Sequence, residues 1–327
     1  MTHASTALPK PFLLRRLHSI TGLMLTLFIV EHLLTNSQAA LWVGDDGMGF
    51  IRMVNTIHDL PFLQVLEWLL IGIPFLIHGY LGVKVALQAR FKSLPGDGAR
   101  PSLPQYARNQ AYTWQRLTSW ILLFGVLLHV AHFRFIRQPV EVKQGTSSTY
   151  LVKLSRDEGL DTVADRLQVA LFTPGQIQQQ RDLLRQEQQS LNVVLVQTEQ
   201  AIPMEKARLQ VESQHLQAFR EYVAGLSDFQ LGPDEVVGVA QNFGTALLMV
   251  VRDSLKVWWV CVLYTLLVLA GTFHAFNGLW IFLIHWGAVL SARSQRWMAH
   301  ACMGLVGLFA FLGLSAVWGT YWINLRT

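Results

Sequence analysis

Residues 272–287 read TFHAFNGLWIFLIHWG, an apolar and aromatic run whose only ionisable side chains are His274 and His285. The apolar character extends over about 256–290, more than the roughly 20 residues a helix needs to cross a bilayer. An imidazole buried in hydrocarbon loses its hydration, so His274 needs a partner that compensates it.

Four further runs are long enough to span, at about 17–36, 61–88, 115–136 and 297–324. With 52% hydrophobic and 14% charged residues among 327, the chain reads as a polytopic membrane protein and not as a soluble domain. Arg15 and Arg16 precede the first run, but no small-residue cleavage site follows it, so it is expected to stay as the first span. Cys261 and Cys302 both lie within apolar runs and read as packing residues, not as a disulfide or a metal site. The net charge of +5 comes from Lys and Arg flanking the spans, which suits lipid headgroups and excludes a nucleic-acid partner.

Those flanking charges predict orientation. Lys10, Arg15 and Arg16 precede span one; Lys84, Arg90, Lys92, Arg100, Arg108 and Arg116 gather between spans two and three; Arg293 and Arg296 join spans four and five. The link between spans one and two holds Asp45, Asp46 and Asp59 against a single Arg52. The expected arrangement is therefore a cytoplasmic N-terminus and an external C-terminus. The spans divide into residues 1–138 (spans one to three) and 241–327 (spans four and five), with an external insert at 139–240. In that insert Ile177, Leu184 and Leu191, then Leu209, Leu216 and Val223, recur every seven residues on either side of Pro203, with Thr173 and Pro174 as a helix start. This predicts an antiparallel helical hairpin whose Gln-rich surface is solvated or docks a partner.

Spans one to four each carry one histidine deep in the apolar run: His32, His78, His129 and His274. A lone buried histidine is more often a hydrogen-bonded core residue than a ligand; one per helix in four helices favours ligation. Each falls roughly 16 residues past the entry of its helix, about 24 Å along the axis at 1.5 Å per residue. Because helices alternate in direction, His32 and His129 share an outer level, and His78 and His274 an inner one. Two imidazoles facing each other at one depth are what axial ligation of a haem iron requires. Gly82, Gly278 and Gly125 lie one turn from a ligand histidine, leaving room for a flat macrocycle or, alternatively, for close helix packing; Phe28 stands at the equivalent place in helix one. Zinc would need three or four ligands at one point, and no CxxCH is present for covalent haem, so two b-type haems are expected.

The strings RRLHSITGLMLTLFIVEHLLTN, LPFLQVLEWLLIGIPFLIHGYLGVKVAL, QRLTSWILLFGVLLHV and FHAFNGLWIFLIHWGAVLSARSQR resemble the membrane cytochrome b subunit of succinate dehydrogenase. The form is the five-helix, two-haem one also used by quinol:fumarate reductases. The resemblance covers the first four helices in order; helix five matches by apolar length, and the insert has no counterpart. It implies an all-α membrane fold of five transmembrane helices, four of them forming a haem-binding bundle, with the hairpin insert outside the membrane. It further implies a bacterial inner-membrane anchor for a cytoplasmic flavoprotein subunit and an iron–sulfur subunit. Electrons would pass to quinone, expected to be menaquinone, while the dicarboxylate chemistry stays on the separate flavin subunit. His32 and His129 would ligate the outer iron and His78 and His274 the inner one. The ungapped run from Gln115 selects His129 over its neighbour His132.

Further residues fit supporting roles. Arg16, His18, Ser19 and Arg116, at the cytoplasmic ends of helices one and three, suit the propionates of the inner haem, although positive-inside flanking explains the two arginines equally. His285 is a propionate partner or an interfacial residue. For the quinone, the outer-level candidates are His58 and Asp59, with Trp42 for packing and Glu67 just inside helix two; capping of a helix starting near Pro61 is the competing reading of His58 and Asp59. Thr272 stands where some relatives carry an acidic residue linked to proton transfer, which argues against that route here. Quinone reduction near the external face would couple turnover to the membrane potential. The alternatives are the cytochrome b of another respiratory dehydrogenase, a quinol:fumarate reductase running in reverse, and a haem-free protein with histidines in polar networks. Self-association of the chain is left open.

Overall fold

The computed structural model of the chain describes residues 9–40, 45–88, 105–144, 147–197 and 203–322. Trp42, Arg90, Lys92 and Arg100 lie outside the described residues. The elements in order are α1 (Lys10–Ser37), α2 (Met48–His58), α3 (Leu63–Gln88), α4 (Ala107–Ile136), β1 (Val140–Gln144), β2 (Ser147–Ser155), α5 (Leu160–Arg166), β3 (Ala170–Phe172), α6 (Pro174–Gln197), α7 (Pro203–Ser227), β4 (Glu235–Ala240), α8 (Phe243–Leu255), α9 (Trp258–His285) and α10 (Ala292–Trp322). The fold is mainly helical, and α1, α3, α4, α9 and α10 are long and apolar enough to cross a membrane. They fall on the five runs read from the sequence.

The chain divides into two compact units. The first comprises Met1–Leu41, Asp59–Val130 and Cys261–Trp318, and so holds nearly all of the five long helices. Hydrocarbon offers no hydrogen-bond partner, so a spanning segment must satisfy its backbone internally, as these helices do. Buried hydroxyls follow the same rule: Thr26 donates to the Gly22 carbonyl at 2.9 Å and Thr272 to that of Val268 at 2.8 Å. Phe276 and Phe309 stack at 5.0 Å with Cys302 beside them, and Val30 and Leu33 of α1 pack on this cluster. At Gly313 a side chain would meet Val268 at 2.7 Å, so α9 and α10 approach closely there. Cys261 and Cys302 are buried and form no disulfide. Within α3, Trp68–Gly72 is wound as a π-helical turn.

The second unit comprises Trp42–His58, Ala131–Val260 and Gly319–Thr327. It contains the hairpin of α6 and α7, and also an antiparallel four-stranded sheet, order β1-β2-β4-β3, which the sequence reading missed. Strand residues alternate between two cores as the pleat demands. Val152, Leu154 and Val236 join α5 and α8 through Leu160, Val163 and Met249. Leu151, Val237 and Val239 face the other way, onto Ile177 of α6 and Leu226 of α7. The hairpin is thus the long extension of a sheet-based unit. Its first helix starts with a capping box: Thr173 Oγ1 accepts from Gln176 N at 3.3 Å, and the Gln176 side chain accepts from Thr173 N at 2.8 Å.

An ion cluster ties α8 to the loop after β2. Arg252, only 3% exposed, donates to both carboxylate oxygens of Asp157 at 2.9 and 2.6 Å. Lys256 bridges Asp157 and Asp253 at 3.1 and 2.8 Å, and Arg137 pairs with Asp253. Asn242 caps α8 by accepting from Thr245 N at 2.9 Å, and Gly244 lets α2 in, since a Cβ there would stand 2.6 Å from the Ile51 carbonyl oxygen.

Candidate cofactor site

Four histidines on four helices of the first unit form two facing pairs. The His32 ring on α1 and the His129 ring on α4 have centroids 5.8 Å apart at 84°. The His78 ring on α3 and the His274 ring on α9 lie 6.3 Å apart, also at 84°. With roughly 2 Å for a metal–imidazole bond and half a ring width on each side, two imidazoles sharing one metal have centres about 6 Å apart. Both spacings match that distance. Among the described residues no group of three or more His, Cys, Asp or Glu converges on one point, so each pair could offer two nitrogens and no third protein donor.

The second ring nitrogen matters as much as the first. His78 Nδ1 lies 3.0 Å from the His18 carbonyl, and His274 Nδ1 lies 3.1 Å from the Gln115 carbonyl. A carbonyl can only accept, so both rings carry their proton on Nδ1 and keep an Nε2 lone pair, the form that binds a metal. Thr118 Oγ1 also stands 3.3 Å from His274 Nδ1. In the other pair the Nδ1 neighbours are side chains: the Tyr264 hydroxyl at 3.1 Å from His129, and the donor Asn36 Nδ2 at 3.4 Å from His32, whose shorter bond at 2.7 Å goes to the His32 carbonyl. By ring spacing all four histidines fit axial ligands of two flat metal complexes, and at His78 and His274 the carbonyl partners also set the tautomer that ligation needs.

The surroundings of the His78–His274 pair add a third ring. The His18 ring sits 4.2 Å from that of His78, and its buried Nε2 has no hydrogen-bond partner among the described residues. A Cβ at Gly82 would come 3.6 Å from that nitrogen, and one at Gly278 would come 3.5 Å from Gln115 Nε2. Gly22, which the sequence reading passed over, is tighter: a Cβ there would meet His78 Cε1 at 2.8 Å. Gly125 is different, for a Cβ would strike Leu267 at 2.7 Å, so it serves helix packing.

Other residues singled out from the sequence are placed as follows. Arg16 donates to the His285 carbonyl at 2.8 Å and covers the Trp286 ring at 4.6 Å, while the His285 side chain is exposed. Ser19 Oγ accepts from Trp286 Nε1 at 3.2 Å. Arg116 is buried and lies 3.8 Å over the Tyr112 ring. His132 belongs to the second unit, where it meets Ser254 at 3.0 Å. His58, at the end of α2 in that same unit, stacks on Phe243 at 4.1 Å and meets the Tyr150 hydroxyl at 3.4 Å. Asp59 is exposed, and α3 is preceded by Phe62 in a left-handed conformation with no side-chain cap, so neither His58 nor Asp59 caps it. The residues missed were Tyr264, Gln115, Thr118 and Asn36. A lone tyrosine in an apolar run and an asparagine four residues after His32 were the available signals.

Five apolar helices long enough to cross a membrane define a multi-pass membrane protein, and two facing histidine pairs lie between four of those helices. Among curated proteins, the chain is similar to the succinate dehydrogenase cytochrome b558 subunit of Bacillus subtilis (strain 168), with 32% identity over 130 residues. That match covers 39% of this chain and 58% of the relative, so the chain spans somewhat under two thirds of the relative's length. The resemblance carried by the histidine-bearing strings thus has a curated counterpart. No family model matches the chain, and no solved structure matches it.

Proposed function

We propose that this chain is the membrane-anchor cytochrome b subunit of a succinate dehydrogenase. It would carry electrons from flavoprotein and iron–sulfur subunits on the cytoplasmic side to a quinone, expected to be menaquinone, in a bacterial inner membrane. The observation that supports this best is the two histidine pairs, spaced at 5.8 and 6.3 Å, each between two different helices. Haem b bound at both would supply two one-electron carriers inside the bilayer.

The chain's own residues do the rest. His32 with His129, and His78 with His274, would present Nε2 from opposite sides, and the Nδ1 partners of His129, His78 and His274 hold those rings in place. His18, with its unsatisfied Nε2, is the strongest candidate to bind a propionate at the second pair, with Arg16, Ser19 and Arg116 as further candidates at the same helix ends. His58 and Asp59, with Trp42, remain the quinone candidates proposed from the sequence. The insert at 139–240, whose hairpin is solvated or docks a partner, is proposed to lie on the external side with the C-terminus, by the flanking-charge argument.

The test is a dithionite-reduced minus oxidised spectrum of the purified full chain with pyridine haemochrome quantitation. About two haems b per chain are expected, falling by about one in His32→Ala and by about one in His274→Ala. A well-folded, haem-reconstituted preparation that holds no haem would overturn the reading.

A further inference from the structure

Gln115 on α4 engages α9 through three atoms. Its carbonyl accepts from His274 Nδ1 at 3.1 Å, its Nε2 donates to the His274 carbonyl at 3.0 Å, and its Oε1 accepts from Asn277 Nδ2 at 2.7 Å. Asn277 is 5% exposed in a helix that reads as membrane-spanning, and an amide there is costly unless bonded, so its pairing with Gln115 is not incidental. The residue after it is Gly278, whose missing side chain leaves the Gln115 amide free to lie against α9.

We infer that Gln115, locked by Asn277, is the positioning residue for His274: it fixes the ring's tautomer and rotation and thereby sets the reduction potential of the haem held with His78. This rests on the haem reading above. A backbone carbonyl reaches a histidine on another helix only while the two helices keep their separation and axial register. The side-chain amide bonds on both sides of that contact hold both. Paired asparagine and glutamine side chains also serve as plain helix–helix glue, in which case the haem would not feel their loss. A hydrogen-bond acceptor on Nδ1 raises the donor strength of Nε2, so a loosened Gln115 carbonyl alters the ligand electronically as well as sterically.

The experiment compares wild type, Gln115→Met and Asn277→Leu in the full chain by low-temperature electron paramagnetic resonance and by redox titration of haem absorbance. The affected component is identified as the one lost in His274→Ala. In Gln115→Met the low-spin signal of that haem should move, and its reduced-to-oxidised ratio at fixed ambient potential should change about tenfold, or 59 mV for a one-electron couple. The haem of His32 and His129 should keep its signal. Selective loss of the first haem would support the same conclusion. Asn277→Leu leaves Gln115 whole and should shift the same component in the same direction by less. It decides the matter if Gln115→Met does not fold. Unchanged signal and potential in a variant that retains both haems overturns the positioning role. Absence of haem from the wild-type chain is a separate outcome, and removes the haem reading itself.

Discussion

The two units bury polar groups by different rules. In the first, the buried hydroxyls of Thr21, Thr26 and Thr272 return to carbonyls of their own helix. The exceptions are the paired histidines, in part, the Gln115–Asn277 pair that joins α4 and α9, and buried Arg116. His78, His129 and His274 reach partners on another helix, and His32 contacts Asn36 one turn along its own. In the second unit, charged Arg252 and Asp253 are buried in an ion cluster that Asp157, Arg137 and Lys256 complete nearer the surface. Where lipid surrounds the helices, polar groups stay neutral and local unless a function requires otherwise. Where water reaches the rim, a buried charge is tolerable if it is fully paired. The difference makes the imidazoles stand out as groups whose positions the fold alone does not require.

Arg252→Ala should break the charged side of this comparison most severely. It removes both Arg252 hydrogen bonds from Asp157, which keeps Lys256, and bonds to a charged group contribute about 1.5–3 kcal/mol. Hydrogen exchange of β2, β4 and α8 in the full chain should accelerate accordingly, with α1 and α9 unchanged. Exchange that accelerates equally in both units would show that they do not unfold separately.

Tyr264→Phe probes the neutral side and has a smaller expected effect. It removes the hydroxyl at His129 Nδ1 while keeping the ring, and loss of such an outer partner weakens metal binding by about tenfold. Haem retention at that pair, measured by dilution or apo-protein challenge, should fall by that factor with the other haem unaffected. No single substitution does the same at His78, because its partner is the backbone carbonyl of His18. Equal weakening at both pairs would erase the distinction between side-chain and backbone partners.

Acid should produce the mildest change. Burial pushes the Asp157 carboxyl up, but hydrogen bonds and charge from Arg252 and Lys256 outweigh it and hold the group below its ordinary range. A carboxyl depressed in the folded state contributes stability above its unfolded pKa, and that contribution is lost as pH falls through the folded value. Protection of β2 and α8 should therefore decline on acidification below about pH 4, the unfolded Asp value. Glu235, held down by its hydrogen bond to Lys153 and the Gly232 amide, titrates in the same range. The informative quantity is thus the difference between wild type and Asp157→Asn, and a zero difference would remove the linkage.

The spans and their histidines were legible because a bilayer imposes a single length and a near-absence of charge, and His32, His78, His129 and His274 violate that background visibly. The hairpin was legible from its seven-residue spacing. The sheet was not, for physical reasons. β1 has five residues and β3 three, and β4 reads EVVGVA with no alternation because cores cover both faces. Its partner β2 lies some 80 residues earlier, so no local signal joins them. The capping reading of His58 failed for a related reason: the sequence places it beside the start of α3, whereas its ring stacks on Phe243, 185 positions away. Gln115 and Asn277 were both inside strings that had been singled out, yet their pairing depends on how α4 and α9 are rotated, which periodicity does not specify.

The π-helical turn at Trp68–Gly72 has a consequence for how α3 can be altered. Such a turn is an α-helix with one residue too many, so it works as a phase shifter between the segment containing Glu67 and the segment containing His78. A helical wheel drawn through α3 in one pass misplaces everything beyond the shifter by about 100°, one residue's rotation at 3.6 per turn. Deleting a single residue within Trp68–Gly72 would leave a regular helix of nearly the same hydrophobic length, while Glu67 and His78 would no longer keep their angular relation. Sequence length in this stretch is therefore an angular setting, and an aligned relative that differs by one residue here would be differently geared and not merely shorter.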